Sequence, residues 1–338
     1  MWSSEQKGLI GIDLGSSSVK LVELRGTPGA YELASIALAV VEGDRRPASY
    51  MKALTAVLDA AAAKTTYAAA AVSGPDVAVR SFKFPRLAPS EVEGATAYEA
   101  SQVIPFDIQG AYVDYMVIEN DEEADETTVL FVAAGRAAVD FKTELLEGCG
   151  LEPRLVGVDA LALLDAAFLQ PDMPASVAVV DVGAKTTSIG IGRKGRVPFV
   201  RDVDVAGNSY TAAISTALGV SLSEAEEAKI TESDHNPTVI YATEEVSRHL
   251  IGELSRSLAY YESRAFGSKV EQILVCGGGS GLPGLPAAIE EAVSVPTRQW
   301  GVLRDVSIDE RRFDRSAVRD LAPMASLAAA LAMRGEMS

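Results

Sequence analysis

Three stretches of this 338-residue chain gather residue types that handle phosphate. In GIDLGSSSVK an apolar run ends on Asp13, and Gly15 permits a tight turn where Ser16, Ser17 and Ser18 add little bulk around the backbone N–H groups. Phosphate oxygens could approach the backbone there. Lys20 lies on the returning run, where its ammonium could reach the same oxygens while the Asp13 carboxylate takes a water bound to Mg²⁺. An unliganded β-hairpin also favours Asp and Gly at its turn, so this motif alone does not decide.

The pattern recurs in VVDVGAKTTSI, where Asp181 and Gly183 repeat the spacing and Thr186 and Thr187 offer hydroxyls to phosphate oxygens. Two such hairpins facing each other would clamp a triphosphate. In ILVCGGGSGLPGL an apolar strand runs into Gly277, Gly278, Gly279 and Ser280 ahead of a helix beginning near Leu285. Residues without Cβ let a flat purine lie against the backbone, although glycine runs are also common in ordinary loops. A helical Ala225-Glu226-x-x-Lys229 segment stands between the second and third motifs; its plain reading is a solvated ion pair one turn apart.

The elements that must position these residues are α/β in texture. KGLIGIDL, SVKLVELRG and YELASIALAVV read as strands, ASYMKALTAVLDAAAAK as a helix and YAAAAVSG as a further strand. From Pro75 to about Arg154 come strand VAVRSFKF, helix SEVEGATAYEASQV, two more strands and a helix, the content of an inserted subdomain. Ser90 and Glu93 fit a capping box after Pro89. SVAVVDVG opens a second unit that echoes the first, so the chain carries an approximate internal repeat. Val246, Leu250, Leu254 and Leu258, with Ile251, form the apolar stripe of a helix from about Thr243 to Arg264. The closing LAPMASLAAALAMR reads as a buried helix, since it lacks a basic face and bulky anchors.

Together, Asp13-x-Gly15-Ser16-x-x-x-Lys20, Asp181-x-Gly183-x-x-Thr186-Thr187 and Gly277-Gly278-Gly279 resemble the two phosphate motifs and the adenosine motif of the actin, sugar-kinase and heat-shock-chaperone superfamily. Within it, the insertion and AYEASQVIPFDIQGAYVDYMVI resemble the PilM family of type IV pilus assembly, and the likeness spans nearly the whole chain. The resemblance implies a two-lobed actin-like (ribonuclease H-like) ATPase fold with an inserted subdomain of the FtsA type. Its divisions would be 1–76 for the start of the first lobe, 77–154 for the insert and 155–175 for the return. The second lobe would occupy 176–320, with a helical part over about 206–264, and 321–338 would close onto the first lobe.

The same resemblance implies ATP and Mg²⁺ as ligands, with Asp13 and Asp181 at the metal, Lys20 at the phosphates, and Glu226 and Lys229 at the purine and ribose. Gly207 falls in VDVAGNSYT, where Ala206 stands in place of the first of two glycines the family usually has before a hydroxyl residue such as Thr211. Asp159, at the start of DALALLDAAFL, is the candidate to orient an attacking water, against a plain helix-capping role. The implied partner is the cytoplasmic N-terminal tail of a PilN-like inner-membrane protein, alongside other pilus platform proteins. Tyr98, Ile104 and Phe106 are the candidate docking residues, with core packing as their ordinary alternative.

The bulk properties agree with this and narrow the alternatives. With 48% hydrophobic residues the chain can fill two cores, and its net charge of −17 opposes nucleic acid and anionic lipid at long range. The opening MWSSEQ has no leader character, no apolar stretch reaches membrane-span length, and a cytoplasmic protein brought to the inner membrane face by a partner is expected. Cys149 and Cys276, His235 and His249 show no metal or catalytic spacing. A small-molecule kinase would need a substrate loop where the insert lies, and an FtsA-like cell-division protein would carry a basic amphipathic terminus where this chain ends MRGEMS.

Overall fold

The computed structural model describes residues 8–43, 46–121, 125–195, 198–264 and 269–336; the MWSSEQ opening and the last two residues of MRGEMS lie outside them. Aliphatic residues on both faces make the first two runs doubly buried strands. β1 (Ile10–Leu14) pairs antiparallel with β2 (Ser18–Arg25), and β2 with β3 (Glu32–Val40). Pro47 at the first turn starts α1 (Pro47–Ala61), and Ala62 in the left-handed region ends it. This helix delivers β4 (Tyr67–Val72) parallel to β1.

The chain then leaves the sheet for β5 (Val77–Pro85), α2 (Pro89–Val103), β6 (Ala111–Asp121), β7 (Glu126–Gly135) and α3 (Arg136–Gly148), with the strands in the antiparallel order β5-β7-β6. The expected Ser90–Glu93 capping box is displaced by two residues. Ala88 is the N-cap, and Glu91 Oε2 accepts the Ala88 N–H at 2.9 Å. Pro89 has no N–H to be capped and a φ fixed near helical values, so it takes the first helical position and sets the frame. β8 (Glu152–Val158) re-enters parallel to β4 and leads into α4 (Asp159–Phe168).

The second lobe repeats the first. β9 (Ser176–Val182), β10 (Thr187–Arg193) and β11 (Phe199–Val203) form an antiparallel meander, followed by α5 (Gly207–Leu218), α6 (Leu222–Thr231) and α7 (Pro237–Arg264). β12 (Gln272–Cys276), α8 (Leu285–Val293) and β13 (Thr297–Gln299) complete the sheet, and α9 (Arg315–Leu321) and α10 (Ser326–Ala332) close the chain. The two five-stranded sheets have matching orders, β3-β2-β1-β4-β8 and β11-β10-β9-β12-β13.

The core sits in three layers that fix the cleft. Between the sheets, α4 and α10 pack with Val22, Leu24, Ala69 and Ala71 on one side and Val177, Val179 and Leu274 on the other. Every residue of α10 is buried, and its alanines let the helix lie close against the strands. α1 and α3 cover the outer face of the first sheet through Tyr50, Leu54, Val57, Leu145 and Leu146. α7 and α8 cover the second through Val246, Leu250, Leu254, Leu258 and Ile289. Each fully buried leucine of that stripe contributes about 1.5–3 kcal/mol of burial, and α7 begins six residues earlier than the stripe alone predicts, at Pro237.

Candidate functional site

In the first hairpin, strand register puts Lys20 directly opposite Asp13. Lys20 Nζ donates to Asp13 Oδ2 at 2.9 Å, and the two side chains are only 10% and 12% exposed. Gly15 sits in a crowded turn: a Cβ there would stand 3.0 Å from Lys20 Nζ and from the Ser18 carbonyl. Ser16 and Ser17 form the tip and Ser18 is buried at the head of β2. The sequence thus builds a short turn with a neutralised ion pair beneath it.

In the second hairpin the same register puts Ser188 opposite Asp181, and Ser188 in turn lies opposite Asp202 on β11. Ser188 Oγ donates to Asp202 Oδ1 at 2.5 Å, while Asp202 Oδ2 accepts the Gly74 N–H of the first lobe at 2.6 Å. Thr186 is part-exposed at the turn, but Thr187 is fully buried and donates to the Val205 carbonyl at 2.7 Å. Its hydroxyl therefore braces the second hairpin, and of the two threonines only Thr186 sits at the tip. The start of α5 docks onto this tip, with Gly207 and Asn208 donating their N–H groups to the carbonyls of Gly183 (2.9 Å) and Ala184 (2.7 Å).

Carboxylates crowd the cleft. Burial, then the nearby charges of Asp13 and Asp159, push Asp181 up to about 7; Lys20 offsets part of this and Asp202 adds to it. Asp159, at the first position of α4 just past its cap Val158, is also raised, first by burial and then against the pull of Lys142 and a Ser73 hydrogen bond. Its Oδ1 is buried without a hydrogen-bond partner among the described residues. An unpaired buried acceptor beside two like charges is unfavourable, and a cation or a donor in the cleft would relieve it. Among the described residues no three His, Cys, Asp or Glu side chains converge to hold a metal ion directly. The donor set therefore suits a hydrated cation whose remaining ligands come from a phosphate chain.

The glycine loop after β12 closes the cleft beside Asp181. Gly277 has φ +83, and a Cβ on it would fall 2.2 Å from Asp181 Oδ1, so no other residue fits there. Its N–H donates to the Pro323 carbonyl at 2.9 Å. Ser280 Oγ donates to the Gly277 carbonyl at 2.7 Å, which commits this hydroxyl to the loop itself. Gly279 packs against Val182, whereas the Cβ direction of Gly278 meets only the Met324 methyl, at 3.9 Å, and is otherwise open.

On α6, Lys229 Nζ donates to Glu226 (2.7 Å), to Thr211 Oγ1 (2.9 Å) and to the Gly207 carbonyl (3.3 Å). Thr211 donates in turn to Glu226 at 2.5 Å. Burial raises the Glu226 carboxyl, but the hydrogen bonds of Lys229 and Thr211 outweigh it and hold the group below its ordinary value. The ion pair anticipated from spacing is present, and its lysine also fastens α6 to the start of α5.

Tyr98, Ile104 and Phe106 lie away from this cleft, on the inserted subdomain. Ile104 and Phe106 are part-buried against Phe82, Ala100, Phe131 and Ala133, while Tyr98 is 68% exposed. Asp202 is the residue that sequence reading missed; in RDVDV it reads as the polar position of an alternating strand, and only pairing with Ser188 brings it to the cleft.

Two sheets of one strand order, each turning an aspartate-bearing hairpin to a common cleft closed by a glycine loop, define an actin-like ATPase fold with two lobes and an inserted subdomain. The chain belongs to the family of the type IV pilus assembly protein PilM, whose family model matches residues 11–336. It is 28% identical to the structure of a PilM-PilN type IV pilus biogenesis complex, with a TM-score of 0.84 over 97% of this chain and 98% of that one. MreB 5 of Spiroplasma citri bound to AMPPNP shares the fold at 12% identity, with a TM-score of 0.50 over 98% and 97% of the two chains. Cell division protein FtsA of Neisseria meningitidis serogroup B is 28% identical over 105 residues, so this match spans 31% of the chain and a quarter (25%) of that protein. No helix among the described residues is long and apolar enough to cross a membrane.

Proposed function

We propose that the chain binds Mg²⁺ and ATP in the cleft and docks the cytoplasmic N-terminal tail of a PilN-like inner-membrane protein, which holds it at the inner membrane face with other pilus platform proteins. The observation that carries the ligand reading is the unbalanced carboxylate Asp181, set against the bare backbone of Gly277–Gly279 and facing the Asp13–Lys20 pair. In this reading Asp13 and Asp181 hold the cation's water shell, and Lys20 with the backbone of Ser16–Ser18, Gly183 and Thr186 takes the phosphates. The purine rests on Gly278, with Glu226 and Lys229 toward the ribose. Mg²⁺, when bound, supplies positive charge to the phosphate oxygens. Asp159, whose free Oδ1 can accept from a water, is the residue to orient it, and turnover is slow at most.

The likeness to the PilM-PilN complex at nearly full coverage supports the partner. The inserted subdomain adds an apolar surface suited to a short tail: Tyr98 is exposed, and so are Tyr112, Val113, Tyr115 and Met116 on the edge strand β6. The test is fluorescence anisotropy with a labelled peptide of the N-terminal tail of the PilN-like protein. Saturable binding is expected, about tenfold weaker in Phe106→Ala and Tyr98→Ala, with ATP affinity intact in both. Tyr98 is too exposed for its loss to act through folding. No saturable binding with or without Mg·ATP would remove the docking role.

A further inference from the structure

The chain enters and leaves the three-stranded sheet of the inserted subdomain through one narrow root. Gly74–Asp76 leads into β5, and Gly135, where β7 ends, donates its N–H to the Asp76 carbonyl at 2.8 Å. The Val77 N–H turns back onto the Gly74 carbonyl at 3.1 Å. A side chain of the second lobe grips this root, because Asp202 Oδ2 accepts the Gly74 N–H at 2.6 Å.

The other oxygen of Asp202 points the opposite way along the sheet, to Ser188, the register partner of Asp181. Two residues earlier on β11 and on the same face, Val200 packs in a cluster with Val77, Val79, Leu130, Val132, Val158 and Leu161. That cluster joins both strands of the root to α4, the helix that begins at Asp159. One strand therefore touches the cleft floor and the base of the inserted subdomain together.

A carboxylate is an unfavourable choice at position 202 unless its bonds matter. It adds negative charge beside Asp159 and Asp181, and the matching position of the first hairpin, opposite Lys20, is the apolar Leu38. Both its oxygens are occupied by hydrogen bonds, in contrast to Asp159, so its contacts describe a tie between lobes.

We propose that Asp202 is a positioning residue that couples the nucleotide cleft to the inserted subdomain: the Asp181–Ser188–Asp202 row registers charge arriving in the cleft, and the Asp202–Gly74 bond passes it to the root. A cation placed beside Asp181 attracts Asp202 as well, and movement of Asp202 shifts Gly74 and the strands anchored there. The inference rests on the nucleotide-binding reading above.

Hydrogen exchange followed by mass spectrometry on the full chain, with and without Mg·ATP, tests it. In the unmodified protein, Mg·ATP slows exchange in peptides covering Asp13–Lys20, Asp181–Ser188 and Gly277–Ser280. It also changes exchange in peptides covering Gly74–Val79 and Leu130–Arg136 by about fivefold. Asp202→Ala keeps the protection at the three loops and loses the response at the root, and Asp202→Asn, whose amide oxygen can still accept from Gly74, keeps part of it. Ser188→Ala cuts the same route one residue closer to Asp181 and also diminishes the root response, which covers the case of an unfolded Asp202→Ala. A root response of full size in Asp202→Ala or Ser188→Ala overturns the proposal, as does an unmodified protein whose loops are protected while its root is silent. Absence of protection at the loops overturns the nucleotide reading, and this inference falls with it.

Discussion

The two hairpins are built alike and charged differently. Each carries an aspartate next to the end of a buried strand and places the residue seven positions later directly across from it, Lys20 against Asp13 and Ser188 against Asp181. The third strand then contributes Leu38 in one lobe and Asp202 in the other. The first hairpin is neutral within itself, and the second sets two carboxylates on either side of Ser188, whose hydroxyl donates to Asp202. A repeated backbone has thus been given unequal charge, and the cleft between its copies is left with a deficit that a cation can fill.

Removing the neutralising partner from the first hairpin has the largest expected effect. Lys20→Ala strands Asp13 in a nearly buried position, which should cost about 3–5 kcal/mol in urea unfolding. Among molecules that still fold, ATP affinity should fall more than adenosine affinity, because only ATP presents phosphates to the ammonium. Gly277→Ala comes next: positive φ and the overlap with Asp181 together should destabilise by about 2–3 kcal/mol, read by the same titration.

The hairpins also differ in how they respond to pH. Asp181 has an ordinary value of 3.8 and is held at about 7 in the folded chain, so folding favours its protonated form. The stability this gives is complete below the ordinary value and is lost as pH rises through the folded value. The nucleotide-free protein should therefore lose stability between about pH 4 and pH 7, with Asp159 acting in the same direction. Asp181→Asn should flatten that part of the profile, and a Ser188→Lys variant, giving the second hairpin the lysine of the first, should do so as well. A profile from chemical unfolding that is unchanged in Asp181→Asn would contradict the assignment of charge in the cleft.

Gly278→Val should have the smallest effect on folding, within about 1 kcal/mol, because its Cβ direction is open. It should still weaken nucleotide binding at least about tenfold if the purine lies there. A structure of the Gly278→Val variant with ATP seated normally against the loop would move the purine elsewhere.

What was legible in the sequence follows from the range of each signal. The turns were readable because Asp-x-Gly is a local requirement, and the α7 stripe because helical periodicity is local too. Asp202 was not, since its role depends on which residue of a neighbouring strand it faces. Thr187 misled for a related reason: side chains alternate across a strand, so with Ser188 facing Asp181, Thr187 must face the other side, toward Val205. Ser280 looked like a ligand donor, yet a glycine loop with φ +83 at Gly277 needs an internal brace, and Ser280 supplies it. Phe106 and Ile104 carried the family pattern while also packing on their own sheet, and sequence pattern alone does not separate the two roles.

The central claim is that the second hairpin's excess negative charge is matched by a cation arriving with the nucleotide. Calorimetric titration of ATP into the full chain, with Mg²⁺ and with a chelator, tests it directly. The account predicts saturable binding with Mg²⁺ that weakens about tenfold to a hundredfold in chelator and in folded Asp13→Ala or Asp181→Ala. ATP affinity that is undiminished both without Mg²⁺ and in the two variants would contradict it.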